Sequence, residues 1–257
     1  MIDVNVSLSR WPFRRLPDDE PEALVRRLRG LGVTEAWAGS LDALLHRDLG
    51  SVNARLVETC RTHGGGFLRP FGAVNPLLPD WREELRRCHD VYRMPGIRLH
   101  PNYHDYALDA PPFVDLLAEA AGRGLIVQIA LKMEDPRTLH PLLKHLPTTD
   151  PAPLLGLFGR VPRPRVVLLN ALLDLHGDAL KRMLATEGIS ADIAMVEGVA
   201  GLERLIAQVG HERLLFGSHA PLFYAHAAHL KLKESSLTPE QAEAIRQGNA
   251  RRLVPSV

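Results

Sequence analysis

The sequence predicts a single α/β domain, a (β/α)8 TIM barrel, and three observations carry that prediction. Eight short apolar segments recur along the chain, each too short for a helix and each followed by a helical or polar stretch. The alternation fills 257 residues, about the length of one such barrel. No glycine-rich phosphate fingerprint favours an open dinucleotide-binding sheet, because Gly64-Gly65-Gly66 lacks the GxGxxG spacing and precedes a strand. No internal repeat or second domain is visible, so residues 1–257 read as one domain with a proline-rich insertion at about 146–164.

Ile2 to Val6 alternates Asp3, Asn5 and Ser7 with Val4 and Val6, the period of a strand. Asp18 or Asp19 is placed to cap a helix that begins near Pro21 and ends at Gly30. Glu35 to Ala38 reads as the second strand and stops at Gly39-Ser40. A helix from about Ser51 to Thr62 gives way to the three glycines, and Phe67 to Val74 is the third strand. Trp81, Leu85 and Cys88 fall at helical spacing within 80–90. Gly96 to His100 is the fourth strand, stopped by Pro101. Asn102 to Tyr106 reads as a polar loop, and Pro112 to Ala121 as a helix. Leu125 to Leu131 is the most apolar strand. Five prolines then break the chain between 146 and 164, with one helical stretch at Leu154 to Phe158. Val166 to Leu169, Ile189 to Met195 and Leu214 to Phe216 complete the strands, alternating with helices at Leu180 to Ala185 and Leu202 to Val209. A helix follows Pro221, and Thr238-Pro239-Glu240-Gln241 has the spacing of a capping box that opens the last one.

Composition narrows the function classes. With 46% hydrophobic and 24% charged residues the chain is an ordinary globular sequence. A net charge of +1 argues against a nucleic-acid or acidic-membrane footprint, which needs a strong basic excess. Cys60 and Cys88 form no CxxC and suggest no disulfide framework. No apolar run approaches the ~20 residues of a bilayer span. The expectation is a cytoplasmic protein acting on a small-molecule substrate, without nucleic-acid or membrane partners and compatible with a homo-oligomer.

In a barrel the residues to inspect are those at the strand C-termini. Asn5 and Ser7 share a face, as do Arg98 and His100, and Gln128 and Lys132. Asn170 closes the sixth strand, Asp192 lies in the seventh, and His219 follows the eighth. Burying such groups unpaired costs roughly 1–3 kcal/mol each, so they pair, hold water or bind a ligand. An inward Arg98 either meets an acid, Asp3 or Asp192, or anchors an anionic substrate. Glu134, Asp135 and Arg137 form a charged loop after the fifth strand. Trp11, Phe13, Arg14, Tyr103 and Tyr106 lie in strand-end loops, as a lid or as loop packing. The remaining histidines show no HxH or HExxH spacing, and Gly217-Ser218-His219 is no GxSxG elbow.

Ile2 to Ser7, Gly96 to Pro101, Met133 to Arg137, Leu214 to Pro221 and Gly248 to Leu253, in that order, resemble the amidohydrolase superfamily, in its branch of small metal-dependent hydrolases. The resemblance implies a (β/α)8 barrel with a divalent metal such as zinc. That metal is held by an HxH pair on strand one, histidines after strands five and six, and an aspartate after strand eight. In this chain those positions hold Asn5 and Ser7, Ala130 or Gln128, Asn170, and His219. Asn and Ser are poor zinc ligands and Ala is none, so the usual metal centre is not expected. A different site, from His100, His219 and Glu134 or Asp135, is the remaining metal option.

The resulting expectation is a hydrolase for a small carbonyl, ester or lactone-type metabolite that works without metal. His219 or His100 would activate water. Arg98, Asn5 and Asn170 would stabilise the oxyanion, with Gln128, Ser7 and Glu134 also facing substrate. The alternative is a barrel that has lost hydrolysis and binds a ligand or partner.

Overall fold

Eight parallel strands, hydrogen-bonded in chain order, form the frame of the computed structural model, which describes residues 1–254. They are β1 (Ile2–Leu8), β2 (Glu35–Ser40), β3 (Leu68–Ala73), β4 (Gly96–Leu99), β5 (Ile126–Ala130), β6 (Arg165–Leu169), β7 (Ile189–Asp192) and β8 (Leu214–Leu215). The sheet curls back on itself: Val4 N donates to Phe216 O at 2.9 Å and Ser7 N to Ala220 O at 2.8 Å. The predicted (β/α)8 barrel is therefore present.

The helices are α1 (Pro21–Gly30), α2 (Leu49–Thr59), α3 (Trp81–Arg86), α4 (Pro101–His104), α5 (Pro111–Gly122), α6 (Leu154–Leu157), α7 (Gly177–Ala185), α8 (Gly201–Val209), α9 (Ala225–Glu234), α10 (Pro239–Glu243) and α11 (Asn249–Leu253). None of them is long and apolar enough to cross a membrane. Two local expectations are corrected. Glu20, not Asp18 or Asp19, precedes α1, and no side chain caps that helix. Asp19 instead turns back to accept from Leu16 N and to pair with Arg15. The 102–106 segment is not all loop, since Pro101 supplies a fixed φ at the first position of the short α4. The capping box forms as the spacing predicts, with Thr238 and Gln241 satisfying each other's backbone N–H.

Two apolar layers hold the barrel. Ile97, Leu99, Val127, Ile129, Val166 and Leu168 pack outward with Leu24, Leu85, Leu116 and Leu184 of the surrounding helices. Ile2, Val4, Trp37, Phe71, Ile126, Val167, Leu169 and Leu215 form a second cluster, with Trp37 stacked on Phe71 at 5.0 Å between ring centroids. Strict alternation would put Val4 and Val6 together, yet they fall in different clusters. The reason is a slip in register: Asp3 lies opposite Ala36, but Val6 lies opposite Ala38, so β1 carries one extra residue. Sequence periodicity cannot show such a bulge.

At Gly96 there is no room for a side chain between β4 and its neighbours. A Cβ there would come within 2.3 Å of Ile126 O and 2.5 Å of Phe71 Cε1. Gly96→Ala is expected to cost about 3 kcal/mol, because a strand backbone and a buried ring must both yield. Equilibrium urea unfolding checks this, and a loss below about 1 kcal/mol would show that the barrel gives way there.

Candidate active site at the strand C-termini

Arg98 sits inside the barrel, 2% exposed, and spends its whole guanidinium on the protein. Nε donates to Gln128 Oε1 at 2.8 Å. Nη1 donates to Val6 O at 2.8 Å and Ser7 Oγ at 3.4 Å, and Nη2 to Trp37 O at 3.0 Å and Val4 O at 3.3 Å. Five N–H donors meet five acceptors. The carbonyls of Val4 and Val6 flank the bulge, so the extra residue in β1 helps create the acceptor set. Gly39 makes room, since a Cβ there would fall 2.8 Å from Arg98 Cδ. The expected acid partner is thus replaced by backbone carbonyls. Burial pulls Arg98 down to about 10, opposed by the charges of Asp192 and Asp3; it stays a cation at neutral pH.

Asn5, Asn170 and Asp192 form a second network. Asn5 Nδ2 donates to Asn170 Oδ1 at 2.8 Å and to Asp192 Oδ2 at 2.6 Å, while Asn170 N donates to Asp192 Oδ1 at 3.0 Å. Asn170 Nδ2 donates to Lys132 O at 2.8 Å. Asn5 and Asn170 therefore bridge to each other, and their amide N–H groups, expected to face an oxyanion, are spent on the protein. Asp3 Oδ1 accepts from Asn5 N and Ser218 N. Burial raises the carboxyls of both Asp3 and Asp192 to about 6, against their hydrogen bonds. Gly217 is needed beside this network, because a Cβ there would lie 2.7 Å from Asp192 Oδ2.

His219 follows β8 in the left-handed region, φ 57°. Asn170 shares that conformation at φ 58°, uncommon for residues other than glycine. His219 Nε2 lies 2.6 Å from Met133 O. A carbonyl accepts only, so Nε2 carries the proton and Nδ1 presents a lone pair. That Nδ1 is buried without a partner. Burial lowers the imidazole to about 4, leaving it neutral at pH 7. His100 is likewise 2% exposed, its Nδ1 has no partner, and burial holds it well below the ordinary histidine value. His104 stands edge-on to His100 at 6.3 Å and donates Nε2–H to Ala43 O. His104 escaped the sequence reading because α4 was taken as loop.

Above these residues the mouth is roofed. Trp11, Leu16, Met133, Leu143 and Leu222 are buried in the interior cluster, with Phe13, Tyr103 and Phe223 packed against it. Tyr106 belongs elsewhere, stacked on Phe113 at 6.0 Å among the outer residues. Glu134 Oε1 accepts from Arg14 Nη2 at 2.9 Å, while Oε2 is buried without a partner. Asp135 pairs with Arg137 within the same loop. A cleft of about 1340 Å³ lined by Arg165, Gly188, Arg213 and Arg252 lies at the opposite end, where the strands begin. In barrels of this kind the strand N-terminal end serves stability, so size does not make that cleft the site.

A family model described as Amidohydrolase matches residues 10–255. The chain belongs to the amidohydrolase family. No curated protein sequence matches it. Among solved structures, this amidohydrolase-family barrel is similar to 2,6-dihydroxybenzoate decarboxylase from Rhizobium, with 17% identity, TM-score 0.74, and coverage of 98% of this chain and 97% of that one. It is similar to 5-carboxyvanillate decarboxylase from Sphingomonas paucimobilis at 14% identity, TM-score 0.74, covering 98% of each chain. A dihydroxybenzoic acid decarboxylase from Polaromonas sp. JS666, with bound manganese and 2-nitroresorcinol, matches at 14% identity and TM-score 0.76, over 98% of this chain and 96% of that one. These likenesses show a shared fold.

The family implies a divalent metal, and the donor set does not fit one. Asn5 offers its amide nitrogen to Asn170 and Asp192, and Ser7 faces Arg98, so both strand-one positions are committed to protein partners. Among the described residues, no three His, Cys, Asp or Glu side chains gather to hold a metal ion. The alternative set of His100, His219 and Glu134 or Asp135 is not assembled either; its carboxylates turn to Arg14 and Arg137.

Proposed function

We propose that this amidohydrolase-family barrel hydrolyses a small uncharged carbonyl compound, an ester or lactone, at its strand C-terminal mouth and without a metal ion. His219 carries the reading. Its tautomer is fixed by Met133 O, and its Nδ1 lone pair is buried and unpartnered. Nδ1 takes a proton from water as the water oxygen bonds to the carbonyl carbon and the C=O π pair moves onto oxygen. The same proton then passes to the leaving oxygen as its bond to carbon breaks. His100, the second neutral imidazole with an unpartnered Nδ1, is placed to orient water or substrate. The cations at the mouth are committed: Arg98 to five protein acceptors, Lys132 to Asp174, Arg14 to Glu134. That commitment favours an uncharged substrate over a carboxylate.

The same saturation supports a second reading, a barrel that binds without turnover. Arg98 and both N–H groups of Asn5 have no donor left for an oxyanion. A screen of metal-stripped protein against lactones, esters and amides separates the two. Turnover is expected, falling at least about 100-fold in His219→Ala. The rate is expected to hold above about pH 5 and to fall as pH drops through about 4, where His219 protonates. Absence of hydrolysis alongside tight binding of the same compounds favours the second reading, and release of carbon dioxide from dihydroxybenzoates overturns the first.

A further inference from the structure

Asn5, Ser7, Arg98, His100, Gln128, Asn170 and His219 are all 3% exposed or less, and Glu134 is 5% exposed. A ligand reaches them only if part of the roof moves. Taking the mouth as the site, as proposed above, we propose that residues 10–19, between β1 and α1, form a flap latched by the Arg14–Glu134 ion pair that must lift to admit ligand.

Three features set this segment apart. It holds itself together: Arg15 grips Asp19 through Nε and Nη2 at 2.8 and 2.7 Å, and Leu16 N donates to the same carboxylate. At its roots it is tied mainly through solvent-exposed ion pairs, Arg10 with Glu20 and Asp18 with Arg27, which hold weakly, while Ser9 takes a left-handed φ of 71° just after β1 and α1 begins with no side-chain cap. And its charged and ring contacts across the mouth reach one loop. Arg14 pairs with Glu134 at 2.9 Å, Phe13 stacks on His140 at 4.7 Å, and Trp11 and Leu16 insert into the apolar roof. Glu134 and His140 both belong to the loop after β5, which also supplies the Met133 carbonyl that fixes His219. Latch and proton-handling residue are thus carried on one loop.

Closure without a ligand has a cost that the structure displays. Trp11 Nε1 is a donor and Glu134 Oε2 an acceptor, and both are buried with no partner. Each would hydrogen-bond water with the flap lifted. A ligand that offers the indole an acceptor removes part of that penalty in the closed state only. Its binding energy therefore favours closure, as a population shift requires. The roof around Trp11 is Met133, Leu143, Leu222 and the Phe13 and Phe223 rings, which suits a compact, mostly apolar molecule with a carbonyl oxygen.

The test reads access rather than turnover, so it stands or falls separately from the hydrolytic reading. Diethyl pyrocarbonate attacks neutral imidazole, and modification of His219, His100 and exposed His46 can be followed by peptide mass mapping at pH 7. In Arg14→Ala and Glu134→Gln the rates at His219 and His100 are expected to rise about tenfold, because a buried carboxylate loses its partner or the latch its charge. The rate at His46 should stay as in the unaltered protein. Cysteines replacing Phe13 and His140, joined by a short bis-maleimide, are expected to protect His219 at least about tenfold. Unchanged rates in both latch variants, with no protection from the crosslink, would overturn the flap. If a latch variant unfolds, the crosslinked protein decides alone.

Discussion

Arg98→Lys is expected to lower the unfolding free energy by about 3 kcal/mol. Lysine offers three donors where arginine fills five acceptors, and those acceptors lie in a fork around a planar group. Val4 O keeps Gln128 Nε2 as a donor, but at least one of Val6 O, Trp37 O, Ser7 Oγ and Gln128 Oε1 loses its partner, and the fork geometry strains the rest. A buried orphan of this kind costs about 1–3 kcal/mol. Arg98→Met should be worse, about 4 kcal/mol, since Val6 O and Trp37 O then face an apolar side chain and Val4 O keeps only Gln128 Nε2. For a chain of this length 1 kcal/mol shifts the melting temperature by about 2–4 °C, so the lysine variant should melt roughly 6–12 °C lower. Calorimetry measures it, and a shift under about 2 °C would mean that water replaces the guanidinium.

Asp192→Ala has a comparable effect and a distinct pH signature. The carboxylate takes Asn5 Nδ2 and Asn170 N, so its removal strands two buried donors and leaves a small void, about 3 kcal/mol in all. A carboxyl raised from 3.8 to about 6 binds its proton more tightly in the folded state. It contributes stability as pH falls from about 6 toward 3.8, and that contribution is lost as pH rises through 6. Between pH 7 and pH 5 the gain is about 1 kcal/mol. His219 works the other way: lowered from 6.5 to about 4, it withdraws about 2 kcal/mol over the same interval as the unfolded chain takes up protons. Without Asp192 only Asp3, also raised to about 6, still opposes this loss, and stability should fall more steeply between pH 7 and pH 5 than in the unaltered protein. Urea unfolding at the two pH values reads the difference, and parallel slopes would refute the raised carboxyl.

Much of the barrel was legible because its strands are short apolar runs with breakers at their ends. Pro101 and Asn170 follow closely on the ends of β4 and β6, whereas β2 runs on through Gly39 to Ser40, where a break was expected. Asn5 and Asn170 were legible as inward amides at strand ends, but not as partners of each other. Arg98 was legible as inward but not in its company. Its acceptors are main-chain carbonyls of β1 and β2, brought within reach by an extra residue in β1, and no side-chain pattern encodes that. The Arg14–Glu134 latch escaped for a related reason. It joins residues 120 apart, and at the level of sequence each sits in a cluster rich enough in charge to satisfy itself locally. His219 was the easiest residue to find, but its tautomer depends on Met133 O, which is set by the course of a loop.

The two polar networks divide the chain unevenly. Every acceptor of Arg98 lies between Val4 and Gln128, so the first five strands contain a finished polar anchor before the proline-rich stretch begins. The second network is the reverse: Asn170, Asp192 and His219 all come later and are completed only by reaching back to Asn5 and Met133. All the partners of Arg98 are therefore already present in the chain before the proline-rich stretch is made. The surroundings of His219 draw on both parts of the chain, so its tautomer is fixed only when the last strands and the earlier ones are joined.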